Sequence, residues 1–189
     1  MSATAAPQGL VPVYHPTGIE RPQQFQIASG YATAIFKNDP VVMAIATGTI
    51  TIGAAASALL GVFMGVEYVD LTGKPTYSNF WPASQGTFSG SLINAFVLTD
   101  PDTVFEIQAQ GPMAQTSLGK EFDIVIGSGN TSTGLSTTAL NVTAATTGAQ
   151  KQFRVVDFGK SADNAAGDAY TVVRVTLAQS QLRALTVSL

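Results

Sequence analysis

Side chains able to do chemistry are few in this sequence, and their spacing matches no reactive motif. There is no cysteine, which removes thiolate catalysis, disulfides and thiolate metal sites. The single histidine, His15, stands in a proline-rich stretch, so a triad or a histidine metal site has to be built around that stretch. Glycine–lysine pairs occur at Gly73-Lys74, Gly119-Lys120 and Gly159-Lys160. The third precedes Ser161, as a phosphate-binding loop would, but Arg154 stands where that loop needs its first glycine. These pairs read as turns. Gly127-Ser128-Gly129-Asn130 is not followed by the helix of a dinucleotide site. Asn130-Thr131-Ser132 and Asn141-Val142-Thr143 have the form of glycosylation acceptors, but Met1–Pro7 does not read as a secretory leader. Asp100, Asp102 and Glu106 cluster, and Asp163 and Asp168 flank a glycine-containing loop. Neither set has the fixed glycine and late glutamate of a calcium loop, and aspartate in such places serves turns. No catalytic, cofactor or metal site is expected.

The elements that would position a site are short strands. At 189 residues the chain suits one domain. Charged residues are 11% of it, against about 25% in an ordinary soluble domain. A surface so poor in charge suits a protein that covers itself against partners, other copies of itself included, as a dimer or trimer. The net charge is -3 with no basic run, so nucleic acid is not an expected partner. No charge occurs between Asp39 and Glu67. That stretch is long enough to span a bilayer, yet Pro40, Gly48, Gly53 and its threonines point instead to buried strands broken by turns. No membrane association is expected.

Residues 1–30 carry Pro7, Pro12, Pro16 and Pro22, a density that opposes helix and most sheet pairing. They read as an extended arm whose removal costs the domain no strand. Leu10, Val13, Tyr14, His15, Ile19 and Phe25 are its candidate contacts with a neighbouring subunit; an arm packed on its own domain is the alternative. Residues 31–189 read as the body. Strands are predicted over Tyr31–Lys37, Val41–Ala46, Gly48–Gly53, Leu60–Asp70, Pro75–Trp81, Leu92–Thr99, Val104–Ala109, Glu121–Gly127, Phe153–Phe158 and Tyr170–Leu177. In Leu60–Asp70, Gly61 and Gly65 mark a bulge or a close backbone approach. Short helices fit only 53–60 and 178–185. Tyr77, Phe80 and Trp81 read as core, with Trp81 as an interface anchor the alternative. The uncharged, threonine-rich 128–150 reads as a contact loop, or else as edge strands. The fold class is all-β: a single β-barrel or a jelly-roll-like sandwich with a proline-rich N-terminal arm.

Several blocks resemble a family of tailed-bacteriophage capsid decoration or cement proteins. They are His15-Pro16-Thr17-Gly18, Arg21-Pro22, Ile27–Ala32, Gly61–Tyr68, Thr72-Gly73-Lys74, Ser78–Pro82 and Asp100–Gln108. The resemblance runs over most of residues 9–110 and more loosely to about 177. It implies a β-barrel or jelly-roll-like body, made in the bacterial host cytoplasm and bound outside the virion capsid, where it cements neighbouring copies of the major capsid protein. It brings no catalytic residues. A minor capsid, head-completion or tail protein would show similar physics; a carbohydrate-binding module would want an exposed aromatic platform. Far-ultraviolet dichroism is expected to show sheet with little helix; a helical spectrum would overturn the fold class.

Overall fold

The computed structural model describes residues 4–145 and 149–183. It has fourteen strands: β1 Val11–Tyr14, β2 Gln23–Gln26, β3 Ile35–Phe36, β4 Pro40–Ala44, β5 Thr49–Ile52, β6 Gly61–Val69, β7 Pro75–Ser78, β8 Phe80–Trp81, β9 Asn94–Leu98, β10 Val104–Gln108, β11 Glu121–Val125, β12 Ala139–Ala144, β13 Phe153–Phe158 and β14 Val172–Leu177. The one helical element among the described residues is a 3-10 turn at Gln115–Ser117. Residues 53–60 form turns instead of the expected helix, as do the described residues of 178–185. The uncharged stretch after Asp39 became β4, β5 and most of β6. No helix among the described residues is long and apolar enough to cross a membrane.

The strands make three sheets. Sheet I has the order β1-β10-β14-β13-β11-β12, and sheet II the order β2-β9-β6-β4-β5 with β7 also on β6; β3 and β8 pair alone. All the strand pairs are antiparallel. The body is therefore all-β, as expected, but no sheet closes into the barrel offered as one alternative. Sheet I curls until Ala109 and Leu140 form an isolated bridge, and sheet II until Ile27 meets Ile50. A single bridge is not a ladder, and a barrel needs a continuous one. Two large sheets sharing a core are compatible with the sandwich alternative.

Two apolar clusters hold the sheets. The first gathers Phe105, Ile107, Phe122, Phe153, Val155, Val173 and Val175 of sheet I with Val62 and Leu98 of sheet II. The second gathers Val41, Ile50, Phe63, Val66, Ala95 and Val97 of sheet II with Ile35 and Trp81 of the small pair. Sheet II is thus apolar on both sides, which is why β6 and β9 read as near-continuous apolar runs. In β6 simple alternation fails at one point. The ladder with β9 shifts between Phe63 and Gly65, and Gly65 has φ +153°, a conformation that favours glycine. This bulge puts Phe63 and Val66 into the same cluster, although strict alternation assigns them opposite faces. At Gly61 a Cβ would lie 2.1 Å from the Leu98 carbonyl oxygen, so β6 and β9 approach more closely than a side chain permits.

The N-terminal expectation needs correction. β1 pairs with β10 and β2 with β9, so the first thirty residues supply strands to both large sheets. Leu10 is fully buried in the first cluster. The prolines permit this because each stands where no ladder N–H is required. Pro7 precedes β1, Pro16 sits in the turn that Gly18 N–H closes onto the His15 carbonyl, and Pro22 precedes β2. Pro12 lies on an edge strand, beside a register shift between Pro12 and Tyr14. Deleting residues 1–26 is therefore expected to abolish the cooperative unfolding transition, and Leu10→Ala to lower stability by about 2–5 kcal/mol, both read by urea denaturation. A folded truncation of undiminished stability would show that β1 and β2 are dispensable.

Candidate functional site

The expected contact residues divide in two. Leu10, Phe25 and Trp81 belong to the body. Leu10 is in the first cluster, Phe25 packs half-buried on the second, and Trp81 is fully buried in the second. The Trp81 indole N–H donates to the Tyr31 carbonyl at 3.3 Å, and its ring meets Tyr68 edge-on with centroids 5.5 Å apart. Its neighbour Phe80 stacks on Phe36. Tyr77, also expected in the core, is 72% exposed. Val13, Tyr14 and Ile19 instead face solvent, at 39%, 46% and 56% exposure. Val13 and Tyr14 end β1, and Ile19 lies in the crossover that carries the chain from β1 in sheet I to β2 in sheet II, so the backbone of all three is held by paired strands.

His15 anchors this crossover. Its Nδ1 accepts the Thr17 N–H at 3.1 Å and lies 2.7 Å from Thr17 Oγ1. That leaves Nε2 to carry the ring proton, 2.9 Å from Asp100 Oδ2. The contact is at ion-pair distance but off the ring N–H direction, so Nε2 has no true hydrogen-bond partner. Hydroxyl, imidazole and carboxylate stand in the order of a hydrolytic relay. Two features separate them from one. The carboxylate does not take the ring proton in line, and the Nδ1 lone pair is already shared with the Thr17 amide, which locks the ring into the turn. What the group does is fasten the crossover to the β9–β10 turn.

Beside it lies a cavity of about 350 Å³ lined by His15, Ile19, Arg21, Leu98, Asp100 and Thr103, among others. Thr103 is fully buried, and its hydroxyl has no partner among the described residues. An unanswered buried hydroxyl costs about 1–3 kcal/mol. Arg21 is exposed and joins no ion pair among the described residues. Sequence reasoning missed both, since Thr103 reads as a turn residue and Arg21 as ordinary surface.

A second exposed apolar group also escaped it. Leu71, Phe88 and Leu92 are all exposed. Phe88 N–H donates to the Val69 carbonyl, and Gly86 packs beneath Leu71. A leucine in a hairpin turn was the available signal. The 128–150 segment, by contrast, is less of a free loop than expected. β12 pairs with β11 as an edge strand of sheet I. Residues 146–148 lie outside the described residues. The segment is also tied down through Asp39, a residue that reads in sequence as part of a turn. Its carboxylate accepts hydrogen bonds from Phe36 N–H at 2.8 Å, from the Ser136 hydroxyl, and from Thr138 Oγ1 at 3.1 Å.

Among the described residues no group of three or more His, Asp or Glu side chains is placed to hold a metal. The Asp102 carboxylate pairs with Arg183, and Glu106 with Arg174. No family model, curated protein or solved structure matches the chain.

Burial pushes the Asp39 carboxyl above the ordinary aspartate value, against the lowering effect of Ser136, Phe36 and Thr138. The protonated form is therefore favoured in the fold relative to the unfolded chain. Its stabilisation is complete below the ordinary carboxylate range and lost as pH rises through the folded value. Asp39→Asn cannot titrate, so the stability of the wild type relative to this variant is expected to grow as pH falls from 7 towards 4. Asp39→Ala should cost about 1–3 kcal/mol for each donor left unanswered. Urea titrations across pH check both; a pH-independent difference between wild type and Asp39→Asn would remove the assigned shift.

Proposed function

We propose that this chain is a structural virion protein, a decoration or cement protein that binds the outside of a tailed-phage capsid and holds neighbouring major capsid subunits together. The observation that carries the proposal is the pairing of a charge-poor all-β body with exposed apolar side chains on a fixed backbone. Val13 and Tyr14 project from the end of β1 and Ile19 from the crossover to β2, Leu71 and Phe88 project at the β6–β7 corner, and Leu92 is exposed in the β8–β9 connection. Rigid apolar groups lose little entropy on docking. The sequence blocks that resemble the decoration family add the kind of particle. In this reading the chain is not an enzyme, acts without a cofactor, and has as partners the major capsid protein and further copies of itself, as dimer or trimer, but neither nucleic acid nor membrane. A minor capsid, head-completion or tail position is the alternative, and the same micrographs separate it.

Purified protein mixed with undecorated shells of the encoding phage is expected to appear by cryo-electron microscopy at fixed positions on the outer surface. Burying an apolar side chain is worth about 1.5–3 kcal/mol, so Tyr14→Ser and Ile19→Ser should each weaken occupancy about tenfold or more while leaving the unfolding midpoint unchanged, both side chains being exposed. Full occupancy by the double variant would sink the contact assignment. Absence of the wild type from shells and whole particles alike would sink the virion assignment.

A further inference from the structure

We infer that the cavity at the β1–β2 crossover is a receptor for a carboxylate, supplied by an acidic side chain of a partner protein that reaches this face. The inference rests on the reading that this face docks, and adds the chemistry of what it docks. The balance of hydrogen-bonding groups selects the ligand. Asp100 is already engaged, since its Oδ1 takes the Asp102 N–H at 3.0 Å and its Oδ2 lies beside His15 Nε2. Two of the groups left unanswered are donors, and the third is a hydroxyl, which can donate or accept. Among the described residues Thr103 Oγ1 is buried without a partner, His15 Nε2 has no aligned acceptor, and the Arg21 guanidinium joins no ion pair. Incoming ammonium would meet these donors with only one carboxylate, already used. An apolar group would leave the Thr103 hydroxyl unanswered. A carboxylate accepts several hydrogen bonds at once and pairs with guanidinium through two parallel ones. Ile19 and Leu98 line the same cavity, so an apolar residue next to the acidic one completes the fit.

The test uses the intact isolated protein and the probe N-acetyl-glutamyl-leucinamide, with the glutaminyl analogue as neutral control. The chain's single histidine gives one ring signal to follow by NMR, beside the Thr103 and Leu98 amides. Expected is a saturable shift of these signals with the acidic probe and none with the control. Arg21→Gln should weaken binding about tenfold, as a charged hydrogen-bonding partner is lost. Thr103→Val separates ligand binding from fold maintenance. It should weaken the probe about threefold to tenfold without lowering the unfolding midpoint, because no group among the described residues answers that hydroxyl. Three results overturn the inference: no saturable shift at the solubility limit of the probe, equal shifts with the neutral control, or Thr103→Val lowering the midpoint while binding is unchanged. The assay needs no capsid. Shells that take up a protein blind to the probe refute the cavity alone, and a protein that binds the probe but no particle refutes the capsid reading alone.

Discussion

A carboxylate placed out of reach of both water and cations, that of Asp39, fixes how the chain's distant segments meet. It is fully buried, and no lysine or arginine pairs with it among the described residues. A buried charge in that position survives only with dense hydrogen bonding or a bound proton. Here Phe36, Ser136 and Thr138 supply donors from two parts of the chain. The backbone around it extends the tie. Asp39's carbonyl takes the Phe63 N–H, Asn38's takes the Leu10 N–H, and the Asn38 amide donates to the Gln8 carbonyl. Lys37 and Ser136 exchange a further bond. One turn thereby joins the N-terminal strand region, β6 of sheet II and the segment leading into β12. Among the described residues three buried side-chain polar atoms have no partner: Asn38 Oδ1 lies at this turn, and His15 Nε2 and Thr103 Oγ1 line one cavity.

How such a body meets a partner follows from its edges. Open sheet edges invite strand addition, yet three strands at the edges of this fold are blunted. β1 carries Pro12 and a register shift, β7 begins at Pro75, and β12 loses register against β11 between Phe122 and Ile124. On β12 the Thr143 carbonyl is also taken by Lys151 Nζ at 2.9 Å. At these three strands backbone pairing is thus a poor route to association. Side chains standing off a fixed backbone are the better one, and the crossover between β1 and β2 presents them.

Local pattern was legible in the sequence and long-range pairing was not. Phe153–Phe158 is a strand over the predicted span, and β14 begins two residues inside its own, because alternation there reports a half-buried surface directly. The bulge in β6 was signalled by Gly65. The first thirty residues misled because proline density was read as a bar to pairing, when the position of each proline relative to the ladder is what matters. Asp39 looked like turn punctuation since its partners, Ser136 and Thr138, lie almost a hundred residues on. His15 and Asp100 are as remote from each other in sequence, so the cavity between them had no local signature. The 128–150 segment looked loose for a similar reason: its ordering contacts, at Lys37 and Asp39, come from the other half of the chain.

The fold also changes what low charge means. A sheet apolar on both faces consumes uncharged residues in the interior, and sheet II does so between the two clusters. Much of the uncharged run between Asp39 and Glu67 is therefore spent on packing: Val41, Ile50, Leu59, Leu60, Val62, Phe63 and Val66 are all buried. Of its large apolar side chains, Ile45 is the one strongly exposed among the described residues. Composition alone assigned the whole deficit of charge to partner-facing surface. The structure reassigns a large part to the core and leaves exposed apolar side chains at the β1–β2 crossover and the β6–β7 corner, among other places. A contact confined to small apolar groups gains specificity from what surrounds them. At the crossover that surrounding includes the buried Thr103 hydroxyl, unanswered among the described residues, so an apolar partner surface docks there without penalty only if it also brings a hydrogen-bonding group.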